Sequence, residues 1–185
     1  MARSKADDVL EEIERSAHRR YLPIIGPSRG RVLIEAVRRH RPERILEVGT
    51  LVGYSTILMG KELGAGSEIV TIEYDRDEAE QARANIARAE LPIEIAVLVG
   101  DALEIIPTLE GSFDFVFMDA AKHQYLEYLL LVEGKLRRGG VVVADNVGFM
   151  SRSMRGYLDH VRDSGKYEST FHRSGLDGVE VSVKL

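Results

Sequence analysis

Arg44-Ile-Leu-Glu-Val-Gly-Thr-Leu-Val-Gly-Tyr-Ser-Thr56 is the stretch that decides how this chain folds. Its first five residues are a short apolar run of buried-strand character, and Pro42 just upstream ends the helical pattern before it. Glycines at 49 and 53 then let the backbone turn tightly and approach a ligand closely, and a helical segment follows over 54–63. Working outward, the same unit repeats. Strand-like runs occur at 68–72, 93–99, 113–118 and 141–144, with helical segments near 76–90, 102–109 and 122–137. Regular β-α alternation predicts a parallel sheet with helices on both faces. Gly139-Gly140 reads as a turn into the fifth strand.

The two ends of the chain differ from this middle. Upstream, Val9, Leu10, Ile13 and Ala17 recur at a helical period over 6–20. Pro23 and Pro27 interrupt that pattern. Ser28 then reads as the cap of a second helix reaching His40, with Val32, Leu33, Ala36 and Val37 as its buried stripe. Downstream, a helix near 153–163 precedes strands at 167–172 and 179–184, and a connection as short as 174–178 forces those strands to pair antiparallel.

At 185 residues the chain suits a single domain, 1–185, with 1–41 as a helical cover and 42–185 as the α/β core. A composition 44% hydrophobic and 30% charged is that of an ordinary globular protein. No apolar run approaches the roughly 18 residues a membrane helix needs. With no apolar block of a signal peptide at the start and no cysteine, disulfides and thiolate metal sites are excluded and a cytoplasmic location is expected. The net charge of -5 is unevenly spread: nine arginines fall between Arg15 and Arg44, against Glu35 and Glu43. That stretch suits an anionic substrate, an RNA backbone, another subunit or simply solvated helix faces.

The strand ends carry the chemistry. Glu47 lies in the first strand, Glu73 ends the second, and Gly100-Asp101-Ala102 follows the third. Glycines after a strand, with a carboxylate about 20 residues on that can accept both ribose hydroxyls, suit a nucleoside-containing cofactor. The spacing Gly-x-x-x-Gly differs from the Gly-x-Gly-x-x-Gly of dinucleotide sites. Asp119 and Asp145-Asn146 end the fourth and fifth strands. If those strands are neighbours, their tips lie roughly 5 Å apart. Two carboxylates and an amide oxygen make a hard, all-oxygen site that selects magnesium or another hard divalent ion. Lys122, three residues after Asp119, is a candidate base. Structural roles stay open beside these: Glu73, Asp101, Asp119 and Asp145 also suit helix caps, and Lys122 an exposed first helical turn.

Leu46-Glu-Val-Gly-Thr-Leu-Val-Gly-Tyr-Ser55, Ile72-Glu73, Gly100-Asp-Ala102, Met118-Asp-Ala-Ala-Lys122 and Asp145-Asn146 together resemble the cation-dependent, S-adenosylmethionine (SAM)-dependent O-methyltransferases, the group of catechol and caffeoyl-CoA O-methyltransferases. The resemblance runs from Ile25-Gly-Pro-Ser-Arg-Gly30 to Asp177-Gly178-Val179. It implies a Rossmann-like class I methyltransferase fold, with a mostly parallel seven-stranded sheet and an antiparallel C-terminal strand. It also implies that Ile25, Glu47, Gly49, Leu51, Tyr54, Ser55, Glu73, Gly100, Asp101, Ala102 and Asp119 line the cofactor pocket. Asp119, Asp145 and Asn146 would hold the metal, and Lys122 would act as the base beside Asp119. A homodimer and a small hydroxylated, aromatic or catechol-like acceptor are expected on the same ground.

The family pattern lapses next to the metal ligands. Ala120 and Ala121 stand where relatives carry larger or polar residues, and the segment after Asn146 departs from the usual substrate loop. No acidic residue presents itself to hold the second hydroxyl of a catechol. Phe149, Met150 and Arg152 are the candidates for the acceptor wall, whereas His123 and His172 suit structural roles. Two further readings stay in view: a methyltransferase for a hydroxylated tRNA base, resting on the basic stretch, and a non-catalytic SAM-binding partner protein.

Overall fold

The computed structural model describes residues 4–148 and 152–185. Helix α1 (Lys5–Arg20) opens on a capping box in which the Ser4 hydroxyl accepts from the Asp7 N–H and the Asp7 carboxylate accepts from the Ser4 N–H. It buries Ala6, Val9, Leu10 and Ile13. Helix α2 (Gly26–His40) begins two residues before Ser28, so Ser28 is not its cap. Pro27 sits in the first turn, where a missing N–H costs nothing, and Ile25 takes the cap position without a side-chain hydrogen bond. The Ser28 hydroxyl instead meets that of Ser174 at 2.9 Å.

Seven strands build one sheet: β1 (Arg44–Val48), β2 (Glu68–Glu73), β3 (Glu94–Val99), β4 (Phe113–Met118), β5 (Leu136–Asp145), β6 (Tyr167–Ser174) and β7 (Asp177–Lys184). Their spatial order is β3-β2-β1-β4-β5-β7-β6. Strands β1 to β5 pair in parallel, while β7 runs antiparallel to both β5 and β6. The expected Rossmann-like α/β sheet with its antiparallel C-terminal strand is therefore the observed one.

Five more helices complete the fold: α3 (Tyr54–Gly60), α4 (Arg76–Ala89), α5 (Ala102–Thr108), α6 (Tyr125–Glu133) and α7 (Arg155–Asp163). Period-two alternation along the strands divides their side chains between two cores. Ile45, Ile69, Phe115, Phe117 and Val143 pack beneath α1 to α4, and Leu46, Val48, Val70, Val116 and Val142 beneath α5 to α7. Each such fully buried side chain contributes about 1.5–3 kcal/mol relative to exposure. Among the described residues, no helix is long and apolar enough to cross a membrane.

Two boundaries differ from the sequence reading. The helical segment expected over 122–137 is a short 3-10 turn, Lys122–Gln124, followed by α6, which stops at Glu133 with Gly134 as its cap. Leu136 already belongs to β5 and pairs with Phe113. Gly139-Gly140 is accordingly not a turn before the strand but an irregularity inside it. The register jumps from Phe113↔Leu136 to Phe115↔Val141, so the extra β5 residues bulge out. A Cβ at position 140 would stand 2.6 Å from the Leu136 side chain, which is why glycine fills it.

The chain builds outward from β1 in one direction through β2 and β3, then returns to β4 on the other side. Such a switch point opens a crevice at the C-terminal ends of the strands, where α/β sheets bind ligands.

Candidate active site

A cavity of about 560 Å³ occupies that crevice. Its wall on the β1 side is the loop between β1 and α3. Gly49 adopts φ +98°, and a Cβ there would lie 2.4 Å from the Asp119 carbonyl oxygen, so only glycine lets β1 end against β4. The loop is held from below by Glu73. Its Oε2 accepts from the N–H groups of Thr50 (3.1 Å) and Leu51 (2.7 Å), and its Oε1 from that of Asp75 (3.0 Å). Leu51 itself sits in the left-handed region at φ +49°, a conformation the Glu73 carboxylate helps fix.

Of the residues expected at the cofactor, Ile25, Gly49, Leu51, Tyr54, Ser55, Glu73, Gly100, Asp101, Ala102 and Asp119 all line the cavity. Asp101 also caps α5, accepting from the Leu103 N–H at 2.8 Å. Glu73 does not cap α4; Asp75 does. Tyr54 turns its hydroxyl to Glu14 of α1 at 2.5 Å, and both that contact and burial push its pKa up.

Glu47 is different, because it does not open onto the cavity at all. Its side chain is fully buried, accepting from the hydroxyls of Ser55 and Thr56 at 2.5 Å each. It braces the first turn of α3 from beneath the sheet. Burial pushes its carboxyl up to about 7 against those hydrogen bonds, which favour the charged form. Direct cofactor contact by Glu47 is thus replaced by support of Ser55, which does face the cleft.

The other wall comes from β4 and β5. Met118 pairs with Ala144, so Asp119 and Asp145 leave the sheet side by side. Lys122 places its Nζ 2.6 Å from Asp119 Oδ1 and 3.1 Å from the Tyr125 hydroxyl, which in turn donates to the Met118 carbonyl at 2.8 Å. Asp119, Lys122 and Asn146 border the cavity, and Ala120 and Ala121 complete this wall without filling it. Asn146 takes φ +63°, a left-handed conformation asparagine tolerates better than most residues.

Asp145 lies behind them with no exposed surface, its carboxylate answered by the Arg29 guanidinium and the Asn146 backbone N–H. Burial and the neighbouring Asp119 charge push its carboxyl up, while Arg29 pulls it down. Arg29 reaches from α2 to bring its Nε within 2.7 Å of Asp145 Oδ1. A buried carboxylate is costly unless a cation answers it, and Arg29 supplies one such charge. Two carboxylates and an amide at neighbouring strand ends are the donor set of a hard divalent ion, with Asp119 and Asn146 on the cavity wall and Asp145 behind it. They fall short of three acidic or imidazole ligands, and among the described residues no such trio exists.

Sequence reasoning did not single out Arg29 or Asp177. The Asn146 amide donates to Asp177 Oδ2 at 2.8 Å, and Arg29 Nη1 lies 3.8 Å from the same oxygen. Both residues sit inside matching strings, yet neither periodicity nor spacing reveals contacts across so many residues. Phe149 and Met150 lie outside the described residues. Arg152 is exposed in the turn before α7, and His123 and His172 are exposed and away from the reacting groups. Of the nine arginines in the basic stretch, Arg15, Arg29, Arg38 and Arg44 each pair with a carboxylate of this chain.

A family model described as O-methyltransferase matches residues 2–159. Catechol O-methyltransferase B of Danio rerio is 35% identical over 181 residues, spanning 91% of this chain and 68% of that protein. Among solved structures, an O-methyltransferase from Bacillus cereus in complex with SAH superposes with a TM-score of 0.87 at 29% identity, covering 97% of this chain and 91% of that one. An O-methyltransferase from Streptomyces achromogenes involved in tomaymycin synthesis, in complex with SAM, gives a TM-score of 0.87 at 29% identity over 96% and 90% of the two chains.

Proposed function

We propose a reaction from one premise: the chain belongs to the O-methyltransferase family and is a SAM-dependent O-methyltransferase. The methyl group passes from SAM to a hydroxyl of a small, catechol-like aromatic acceptor, with a divalent cation at Asp119, Asp145 and Asn146. The observation that carries this reading is the placement of Asp119 and the buried Asp145 at the ends of two paired neighbouring strands, with Asp119 and Asn146 on the cavity wall. The catechol-like acceptor is supported by the Danio rerio relative.

In this reading the residues divide the work. Glu73 and Asp101 receive the ribose and adenine end of SAM, Gly49 allows the close approach of its methionine part, and Ile25 closes the cleft from α2. Ser55, braced by Glu47, borders the same part. The acceptor oxygen attacks the methyl carbon in line with the breaking carbon–sulfur bond, so the sulfonium leaves as the neutral thioether SAH. A bound divalent cation supplies a Lewis acid that favours the ionised hydroxyl. Lys122, once in its neutral amine form, takes the hydroxyl proton at its Nζ and becomes the ammonium that Asp119 and Tyr125 accept from. The helices of 1–41 and the core of 42–185 act as one domain, because Ile25 and Arg29 of the cover reach the cleft.

The test is transfer of labelled methyl from SAM to catechol after chelation and after magnesium is restored. Turnover lost with chelator and recovered with magnesium supports the reading. Full turnover in chelator removes the metal. A tRNA acceptor has less support, because four of the nine arginines are engaged within the chain. Salt-insensitive transfer to catechol and none to bulk tRNA would dispose of it.

A further inference from the structure

The end of β5 and the start of β7 meet at Asp177, a residue given no chemical role above. Its Oδ1 accepts from two backbone N–H groups, those of Gly148 (3.0 Å) and Gly178 (2.9 Å). Its Oδ2 accepts from the side-chain amide of Asn146 at 2.8 Å. A carboxylate only accepts, so it dictates which end of the Asn146 amide faces it: the nitrogen. The planar amide then carries its carbonyl oxygen on the side away from Asp177, and Asn146 lines the cleft. Arg29 braces the arrangement from α2, with Nε 2.7 Å from Asp145 and Nη1 3.8 Å from Asp177.

We propose that Asp177 is a positioning residue: it fixes the Asn146 amide so that the carbonyl oxygen, not the nitrogen, is offered to a divalent cation. The proposal rests on the metal reading above. An amide that presents its nitrogen to a cation offers no lone pair and repels it. Free rotation would leave the choice open, since the two ends of the amide are nearly the same size and shape. The anchored carboxylate removes the choice before any cation arrives. Residues behind metal ligands commonly carry 10–100-fold of the affinity in this way.

Asp177→Asn is a discriminating substitution, because the outcome follows from donor and acceptor bookkeeping. The two backbone N–H groups of Gly148 and Gly178 need an acceptor, so Asn at 177 must turn its carbonyl oxygen toward them. Its amide nitrogen then faces Asn146. Two donors cannot pair, so Asn146 flips, and its own nitrogen turns to the cleft. A second change, Asn146→Asp, restores a carboxylate that accepts from position 177 and still shows an oxygen to the cleft. The swapped pair also has the same formal charge as the parent.

Mn2+ titration of the full chain, followed by calorimetry or by the spectrum of the free ion, reads the effect directly. Melting temperature and SAH affinity are recorded alongside to establish that each variant is folded. D177N is expected to weaken Mn2+ binding about 10-fold or more, leaving SAH affinity near the parent's, and D177N/N146D to recover most of the loss. D177N binding Mn2+ as the parent does overturns the role of Asp177 while leaving the metal reading intact. Because a carboxylate at 146 is itself a stronger ligand, the swapped pair is read against Asn146→Asp with Asp177 kept, and a D177N loss of equal size in both backgrounds also overturns the role. If D177N fails to fold, Asn146→Asp and Asn146→Ala with Asp177 kept give the same answer. Equal Mn2+ affinity in the parent and Asn146→Ala overturns the proposal. A parent chain that takes up no Mn2+ removes the metal reading and this inference with it.

Discussion

The two walls of the cleft carry comparable carboxylates held in opposite ways. On the β2 and β3 side, Glu73 and Asp101 are satisfied by backbone N–H groups, three for Glu73 and one for Asp101. On the β4 and β5 side, Asp119 and Asp145 instead face cationic side chains, Lys122 and Arg29. The first wall is a finished cradle: its negative charge is absorbed by the chain, and it can meet the hydroxyls of a neutral sugar. The second holds its negative charge against the side-chain cations Lys122 and Arg29. In the proposed reading it is this wall that receives the divalent ion.

Removing the buried charge of the second wall breaks this comparison most severely. Asp145→Asn should lower methyl transfer on the order of 1000-fold, by analogy with the loss of other groups that stabilise developing charge. The melting temperature of the cation-free protein should fall only modestly, since Arg29 loses its charged partner but keeps an amide oxygen to face. A variant that melts far lower and still turns over would show Asp145 to be structural. Lys122→Ala should reduce turnover roughly 100-fold with SAH affinity unchanged, because Lys122 is assigned to the proton and not to the cofactor. Full turnover in that variant would free Lys122 of any such role.

The cradle side should respond through stability and cofactor affinity instead. Glu47 has its folded-state pKa raised to about 7 by burial, above the ordinary 4.5. Its folded form therefore holds a proton that the unfolded chain has released, and stability falls as pH rises from about 4.5 to 7, then levels. Glu47→Gln removes that group's slope, so the variant should gain on the parent by up to about 2–3 kcal/mol between pH 5 and pH 8 in denaturant titrations. Parallel curves for the two proteins would show that Glu47 is ionised throughout. Glu73→Gln should cost about 1.5 kcal/mol of stability, from weakened charge-assisted bonds to Thr50 and Leu51. It should also weaken SAH binding while sparing Mn2+ affinity. Equal losses of both ligands would erase the division between the walls.

What was legible beforehand follows the same line. The strands β1 to β5, the order of chemistry along their ends and the switch-point crevice are written locally, in apolar runs that stop at Gly, Glu or Asp. Ser28 misled, because a serine before an apolar period looks like a cap whether or not the helix has already begun at Gly26. Gly139-Gly140 misled for a related reason: a turn before a strand and a bulge inside one call for the same residues. Glu47 read as a pocket residue because its strand position is right. Only the fold shows that its side chain points beneath the sheet to Ser55 and Thr56.

By itself, the sequence determined the α/β class, the seven strands, the glycine turn after β1 and the acidic and amide residues at the strand ends, because periodicity and residue chemistry act over a few positions. Tertiary structure alone decided which carboxylates are held by backbone N–H groups and which face side-chain cations. Arg29 reaches Asp145 across 116 residues and Asp177 reaches Asn146 across 31, separations at which only the packing of α2 and β7 against β5 brings donors to acceptors.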